Sequence, residues 1–158
     1  KVYLPNGEIQ RLCKLVPTPF DLFLRRFLPK SIMTQSKANF ELAFTGYSQE
    51  MFVPYLSGCF MFLRVEALKD IGIFDERFFM YPEDIDLTRR LALRWDTMFL
   101  PSVSVTHQYG AASHKSLRIF AIHFWNLIKY FNKWGWLKDS GRDQLNQRTL
   151  SQFVVQKE

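Results

Sequence analysis

The stretch that decides the fold reads SGCFMFLRVEALKDIGIFDERFFMYPEDIDLTRRL over residues 57–91, and it is completed by TMFLPSVSVTH over residues 97–107. Its pattern predicts an apolar strand, a helix, an aromatic segment, an acidic helix start and a second strand that ends on His107. Eight of the chain's fifteen acidic residues lie within residues 66–96. Because an apolar neighbourhood raises a carboxyl pKa toward neutrality, carboxylates directly behind an aromatic run indicate a place for proton chemistry.

Two aspartates at the start of the acidic helix, Asp84 and Asp86, are predicted to lie on different faces of it. Leu87 and Leu91 follow Asp84 at i+3 and i+7, so Asp84 faces the interior if the two leucines do. Asp86 instead shares a face with the arginines that follow it, Arg90 among them, where ion pairs one turn apart form readily. Since residues two apart on a helix point to roughly opposite sides, the Asp-x-Asp spacing does not predict a single metal chelate here.

Length and composition favour one globular domain or part of one. The 158 residues are 47% hydrophobic and include sixteen phenylalanines, which is too apolar for disorder. No apolar run reaches about 18 residues, so no transmembrane helix is expected. Cys13 and Cys59 lie in unrelated contexts and are expected to be free thiols, and no zinc-type spacing is present.

The positive charge is concentrated near the C-terminus. The net charge is +6, and residues 101–158 hold eight Lys or Arg against three acidic residues. A basic, aromatic-rich tail is suited to an anionic membrane surface or to nucleic acid, although a solvated helix face explains the same charges. Nucleic-acid binding is not expected, because the aromatic residues recur at core-like periodic positions and no nucleic-acid-binding motif is present.

The sequence pattern of residues 1–50 predicts little regular structure. Residues 1–17 are expected to be irregular, with a turn at residues 5–7. Thr18 is expected to cap a helix that stops before Pro29. Residues 30–50 are rich in polar side chains and predict a loop.

Short strands and helices are expected in the remainder. Gly58 is expected to form a bulge or to allow a close backbone approach, to a ligand or to another strand. A long helix that starts at Ser116 carries a polar stripe, and its wide apolar arc is expected to pack on a core, a partner or a bilayer interface. Strands are predicted over residues 51–55, 59–64, 97–100 and 103–107, helices over residues 65–71, 116–134 and 139–158, and a lid-like loop over residues 108–115.

Several pieces of the chain, taken in order, resemble the C-terminal half of the family 2 glycosyltransferases, in particular their bacterial rhamnosyltransferase-like branch. Each piece alone is a weak motif, but their order and spacing together are specific. The resemblance covers about residues 50–134. The pieces are SG (57–58), FMFLR (60–64), GIFDERFFMY (72–81), EDIDL (83–87) with Arg90, VTH (105–107) and YFNKWGW (130–136).

The resemblance implies an α/β fold, namely the C-terminal part of a GT-A-type mixed-sheet glycosyltransferase followed by C-terminal helices. It divides the chain into an N-terminal helix and loop segment (residues 1–50), an acceptor-side α/β core (residues 51–113) and a helical tail (residues 114–158). The family's nucleotide-binding half, with its Asp-x-Asp for metal and diphosphate, needs more room than the 56 residues that precede Ser57 here. The chain is therefore expected to be a fragment that lacks the donor site and is inactive alone.

The resemblance also implies roles for individual residues. Asp84, within the pair it forms with Glu83, would be the catalytic base that deprotonates an acceptor hydroxyl in an inverting displacement, although two acids that merely start a helix would look the same. His107 occupies the place of a histidine that helps to hold a divalent metal, magnesium or manganese, and a hydrogen-bonded histidine at a strand end is the alternative. The residues expected to bind substrate are Ser57, Gly58, Tyr81 and Arg118, the last through the diphosphate.

The implied function is sugar transfer from a nucleotide-diphosphate-sugar to a glycan or polyprenyl-linked acceptor in bacterial surface-polysaccharide synthesis. The implied place is the cytoplasm, at the inner face of the cell membrane. The alternative is a non-catalytic membrane-surface or partner-binding module that uses the helix over residues 116–134. An incomplete sheet edge and an exposed apolar helix would also favour a homo-oligomer.

Overall fold

The computed structural model describes residues 1–23, 30–108 and 117–153, and in these ranges short strands alternate with helices in a mixed α/β structure. The strands are β1 (Val2–Tyr3), β2 (Cys13–Lys14), β3 (Met51–Phe52), β4 (Tyr55–Leu56), β5 (Met98–Phe99) and β6 (Val105–Thr106). The α-helices are α1 (Pro19–Leu22), α2 (Lys30–Phe40), α3 (Val65–Ile71), α4 (Glu83–Ala92), α5 (Leu117–Trp134) and α6 (Ser140–Ser151), and Ala43–Thr45 form a 3-10 helix.

Three two-stranded pairs stand where a mixed sheet was expected. β1 and β6 pair in parallel, whereas β2 with β4 and β3 with β5 are antiparallel. β1 and β2 lie in the segment predicted to be irregular, so that prediction missed two short strands, while the turn predicted at residues 5–7 is present. The strand predicted over residues 59–64 was also wrong. Met61 and Leu63 of that segment pack instead against the cluster between α3 and α4, so a packing pattern was taken for strand alternation.

The loop predicted over residues 30–50 is largely helical. On α2, Gln35 Nε2 donates to Asn39 Oδ1 at 3.1 Å, one helical turn apart. The last residue of α2, Phe40, is only 7% exposed and anchors the end of the helix in the core. The loop prediction was wrong because the other positions of α2 are mostly polar and give no apolar period, while tertiary packing supplies the stability that propensity does not.

Several helix boundaries agree with the sequence. Thr18 caps α1 in a capping box with Asp21, whose Oδ2 accepts from Thr18 N–H at 2.9 Å. α3 has its predicted bounds, and Gly72 follows it with φ of +81°. The residue before Pro29, the Ser116 cap and most of the predicted lid lie outside the described residues, since residues 24–29 and 109–116 are not among them.

α4 is the helix on which the neighbouring elements pack. Its inner face carries Leu87 and Leu91, which form one apolar cluster with Ala67 of α3. Ile85, on another face of α4, joins Tyr130 in a second cluster with α5. β4 contacts the same helix. α4 therefore packs between β4, α3 and α5.

Side-chain amides join α6 to the N-terminal half of the chain, and a buried ion pair joins it to α4. The Asn146 amide accepts from Val16 N–H at 2.8 Å and donates to Val16 C=O at 3.1 Å. Gln152 bonds both backbone groups of Phe52 in the same way, at 2.8 and 3.1 Å. These amides satisfy backbone groups that the short strands leave unpaired. Asp139, the residue that caps α6, forms a buried ion pair with Arg89 of α4.

The polar side chains of α5 point mainly inward. Asn126 is 3% exposed and its Nδ2 donates to Met80 C=O at 2.8 Å. Lys133 Nζ bonds Asp75 Oδ2 at 2.8 Å and Asp86 Oδ1 at 2.6 Å. Much of the predicted polar stripe therefore serves buried contacts. None of the helices within the described ranges is both long and apolar enough to cross a membrane.

Candidate functional site

Asp84 lies in the first turn of α4, and backbone N–H groups hold its carboxylate. Oδ2 accepts from Gly58 N–H at 3.0 Å, and Oδ1 accepts from Ile85 N–H at 2.8 Å. The Thr88 hydroxyl donates to the backbone carbonyl of Asp84 at 2.7 Å and ties the first turn to the next. Because each carboxylate oxygen can accept more than one hydrogen bond, the side chain is oriented and can still accept a proton.

Gly58 permits this contact because it has no side chain. A Cβ at position 58 would lie 3.3 Å from Asp84 Cβ and 3.8 Å from Asp84 Oδ2. The close approach expected of this glycine is thus present, and its partner is a helix and not a strand. Ser57, which precedes it, is half-buried. Residues 57–59 therefore lie directly against the first turn of α4.

The surroundings of Asp84 destabilise its charged form. Burial raises the pKa of Asp84 above its ordinary value, while the N–H groups of Gly58 and Ile85 and the positive charge of Lys14 oppose that rise. A carboxylate of raised pKa that remains able to ionise is suited to general base catalysis.

Lys14 and Tyr55 belong to this site, although the sequence analysis missed both. They are opposite each other in the β2–β4 pair, and Lys14 Nζ lies 5.3 Å from the centre of the Tyr55 ring. Burial, followed by the charges of Asp84 and Glu83, raises the pKa of Tyr55 well above its ordinary value. The Tyr55 hydroxyl therefore stays protonated and can donate a hydrogen bond. The alternating pattern of a strand gives no signal for which distant residue it pairs with.

Glu83 places a second carboxyl group beside Asp84. Burial raises the pKa of Glu83, and the negative charge of Asp84 raises it further. Among the described residues, Glu83 Oε2 is buried and has no hydrogen-bond partner. A buried acceptor without a partner costs free energy, so this oxygen is suited to accept a hydrogen bond from a bound molecule.

Tyr81 connects the site to α5. Its ring lies 4.3 Å from the ring of His123, measured between ring centres, with the planes 30° apart. Tyr81 has φ of +47°, a value uncommon for a residue with a side chain, and the peptide bond to Pro82 is cis. The backbone thus turns at Tyr81 directly before α4 begins.

Asp86 has a different role from Asp84. It is fully buried, and its oxygens accept from Arg90 Nε at 2.8 Å, Lys133 Nζ at 2.6 Å and Trp134 Nε1 at 2.8 Å. The expected ion pair with the arginine one turn later is present. The two aspartates face different partners, as expected for residues two apart on a helix, and Asp86 joins α4 to α5.

His107 and Arg118 lie on other elements. His107 follows β6, its Nδ1 lies 2.9 Å from Gln10 Oε1, and its N–H donates to Tyr3 C=O at 2.8 Å. These are contacts of a hydrogen-bonded histidine at a strand end. Arg118 is exposed in the first described turn of α5. Within the residues that the structure describes, no group of three His, Cys, Asp or Glu side chains could hold a metal ion.

The structure therefore groups only part of the predicted site around Asp84. The roles of His107 and Arg118 stay predictions. The predicted residues in the group are Ser57, Gly58, Tyr81, Glu83 and Asp84, with Lys14 and Tyr55 added by the structure.

The chain is similar to two curated proteins of Mycobacterium tuberculosis, from strains CDC 1551/Oshkosh and ATCC 25618/H37Rv, both named N-acetylglucosaminyl-diphospho-decaprenol L-rhamnosyltransferase. Each is 38% identical to the chain over 94 residues, which cover 48% of the chain and 31% of the relative. The chain thus matches about a third of the length of these relatives. No protein-family model and no solved structure matches the chain.

Proposed function

We propose that this chain is the acceptor-side part of an inverting glycosyltransferase in which Asp84 is the general base. The observation that supports this most directly is the Asp84 carboxylate, which burial biases toward proton uptake while Gly58 holds it in place at 3.0 Å. The similarity to two rhamnosyltransferases at 38% identity supports the reaction class.

In the proposed reaction, an acceptor hydroxyl gives its proton to Asp84 while its oxygen attacks the anomeric carbon of the donor sugar. The bond from that carbon to the diphosphate breaks, and its electron pair leaves with the nucleoside diphosphate. Attack from the side opposite the leaving group inverts the configuration at the anomeric carbon. A base within reach of the hydroxyl contributes about 10²- to 10⁴-fold to such a step.

Glu83 and Tyr55 are proposed to orient the acceptor. The unpartnered Glu83 Oε2 can accept a hydrogen bond from a second hydroxyl of the acceptor sugar. The Tyr55 hydroxyl, kept protonated by burial and by both neighbouring carboxylates, can donate one. Together with Asp84, these groups offer the mixture of donors and acceptors that a sugar requires.

A divalent cation, magnesium or manganese, is the cofactor that the family resemblance implies, and it would stabilise the charge that develops on a leaving diphosphate. The described residues do not fit such a site by themselves. They contain no suitable group of three ligands, and the Nδ1 of His107 is directed at Gln10. We therefore assign no step of the reaction to a cation held by this chain.

The name of the relatives supports a choice of substrates. It gives N-acetylglucosaminyl-diphospho-decaprenol and an L-rhamnosyl group. We infer that the full-length protein transfers rhamnose or another hexose from a nucleotide-diphosphate-sugar to a polyprenyl-linked acceptor in the synthesis of a surface polysaccharide. Because such an acceptor is anchored in a bilayer, we propose that the reaction takes place at the inner face of the cell membrane.

A second candidate function is a membrane-surface or partner-binding module without catalysis. The exposed apolar side chains of α5, Trp125 at 61% among them, favour it. The two functions are compatible, since an enzyme that acts on a lipid-linked acceptor works at a membrane surface.

The test is a screen of nucleotide-diphosphate-sugars with the full-length protein, magnesium or manganese, and polyprenyl-diphosphate-linked N-acetylglucosamine. We expect release of nucleoside diphosphate that depends on both donor and acceptor, a product one sugar heavier by mass spectrometry, and inversion of the anomeric configuration by NMR. Chelation of the cation should abolish release if a cation is required. Absence of acceptor-dependent release with every donor would reject the transferase function.

A further inference from the structure

α5 presents apolar side chains to solvent. Leu117 is 87% exposed, Trp125 is 61% exposed and Phe124 is 47% exposed. Phe79, in the segment before α4, is 79% exposed and shares an open cleft of about 420 Å³ with Trp125. We call these four side chains and Ala121 the aromatic face. Large exposed apolar patches of this kind mark surfaces that bind a partner or a membrane.

An ordinary solvated helix surface exposes polar side chains, whereas several polar side chains of α5 make contacts inside the protein. Asn126 and Lys133 satisfy a buried carbonyl and a buried carboxylate, at 2.8 and 2.6 Å. Lys129 lines the same cleft as Trp125, and its Nζ donates to Arg77 C=O at 3.2 Å. α5 thus buries Leu127, Tyr130 and Phe131 together with Asn126, while Leu117, Phe124 and Trp125 remain exposed.

The charged residues of α5 and of the turn after it are all basic, and one of them, Lys133, is paired with Asp75 and Asp86. Residues 117–138 contain no Asp or Glu and four Lys or Arg, which are Arg118, Lys129, Lys133 and Lys138. Arg118 and Lys138 are exposed. A helix that combines outward aromatic side chains with basic residues and no acids is complementary to an anionic lipid surface, where each basic residue near the surface contributes about 1 kcal/mol.

We propose that the aromatic face lies against an anionic phospholipid bilayer, with Trp125 and Phe79 inserted at the level of the headgroups. This membrane contact extends the proposed function and rests on it. Its role would be to hold the site of Asp84 near a lipid-linked acceptor. The Tyr81 ring contacts the His123 ring of α5, with 4.3 Å between ring centres, so the same helix contacts both the residue that precedes Pro82 and the proposed bilayer.

The test is sedimentation of the full-length protein with vesicles of phosphatidylcholine alone and of phosphatidylcholine with phosphatidylglycerol. We expect binding that requires phosphatidylglycerol and weakens as salt rises to physiological strength. The double variant Phe79→Ala/Trp125→Ala should lower the partition coefficient at least about tenfold, since burying one large apolar side chain corresponds to roughly a tenfold change. Because both side chains are exposed, circular dichroism and thermal unfolding should be unchanged.

Phe62→Ala is the matched control, because Phe62 is 95% exposed and lies in the segment between β4 and α3. It should bind vesicles as the wild type does. Equal binding by the double variant and the wild type would overturn the proposal, as would equal binding to vesicles without phosphatidylglycerol. A concentration-dependent dimer that the double variant abolishes, with no vesicle binding, would assign the face to a second copy of the chain instead.

The outcome is separable from that of the transferase test. Loss of vesicle binding with nucleoside diphosphate release intact on a detergent-soluble acceptor would leave the proposed function standing. Vesicle binding by a protein that releases no nucleoside diphosphate would support the membrane contact alone.

Discussion

The backbone N–H of Gly58 donates to Oδ2 of Asp84 at 3.0 Å, and there is room for no larger residue at position 58 without a shift. Two segments that lie far apart in the sequence thus meet at one carboxylate. The contact both orients Asp84 and opposes the rise in pKa that burial causes. The Gly58 N–H therefore both positions the carboxylate of the proposed base and lowers its pKa.

Gly58→Ala should lower the transfer rate while the protein remains folded. The new Cβ would lie 3.3 Å from Asp84 Cβ, so the carboxylate or the turn at residue 58 must move by a few tenths of an ångström. Misplacement of a catalytic group costs about tenfold to a hundredfold in rate, since reactivity depends steeply on geometry. Steady-state kcat with a fixed donor and acceptor measures the effect.

Gly141→Ala is the control for that variant. A Cβ at position 141 would also lie 3.3 Å from a neighbour, but the neighbour is Arg89 Nη2, away from the contact between Gly58 and Asp84. It should leave kcat near the wild-type value. If both alanine variants lose activity equally, crowding in general and not the contact at Asp84 accounts for the loss.

The pH dependence of transfer should report Asp84 and its neighbour Lys14. A base works when it is deprotonated, so kcat/KM should rise with pH through the pKa of Asp84, which burial places above the ordinary aspartate value. The positive charge of Lys14 lowers that pKa. Lys14→Gln should therefore move the acid limb of the profile to higher pH, and Lys14→Arg should leave it in place. An acid limb unmoved in Lys14→Gln would contradict the assigned electrostatic role.

The raised pKa of Asp84 should also make the protein less stable as pH rises, whereas the same rise in pH increases the transfer rate. Because the folded state raises the pKa of Asp84, it binds that proton more tightly than the unfolded state does. The resulting stabilisation is present below the unfolded-state pKa of about 4 and is lost as pH rises through the folded-state pKa. Asp84→Asn removes this loss, so the free energy of unfolding of the variant relative to wild type should increase from pH about 4 toward neutrality. Urea denaturation at several pH values measures it, and a constant difference would contradict it.

Asp86→Asn should destabilise the fold strongly. Asp86 is 0% exposed and accepts from Arg90, Lys133 and Trp134, so removing its negative charge leaves two partly buried cations poorly compensated. Removing one partner of a buried ion pair costs about 3–5 kcal/mol. The matched control is Asp96→Asn, whose pair with Arg148 is exposed and should contribute less than about 1 kcal/mol. Urea denaturation of both variants compares the two costs. A loss below about 1 kcal/mol in Asp86→Asn would show that Asp86 does not hold α4 to α5.

The sequence predicted elements that local chemistry determines. The capping residue Thr18 marked α1, and the apolar spacing between Leu87 and Leu91 marked the inner face of α4. The different partners of Asp84 and Asp86 followed from helical geometry alone. These predictions depend on residues within one or two turns of each other, which is the range over which sequence patterns carry information.

The errors concern contacts between distant segments. α2 was missed because it is held by the burial of Phe40 at its end, which the polar sequence around Phe40 does not reveal. Lys14 joins the site only through the pairing of β2 with β4, for which no local pattern exists. Asn126 is buried and donates to Met80 C=O, 46 residues earlier, and periodicity gives no signal for such a contact.

The measurement that tests the central claim most directly compares wild type with Asp84→Asn in the full-length protein. Transfer to the polyprenyl-linked acceptor and binding of the nucleotide-diphosphate-sugar by calorimetry are measured on the same preparations, with Asp96→Asn as the exposed control. We predict a fall in kcat of at least about 10²-fold in Asp84→Asn, with donor affinity and the folded state retained. Transfer by Asp84→Asn at close to the wild-type rate would contradict the assignment of Asp84 as the base.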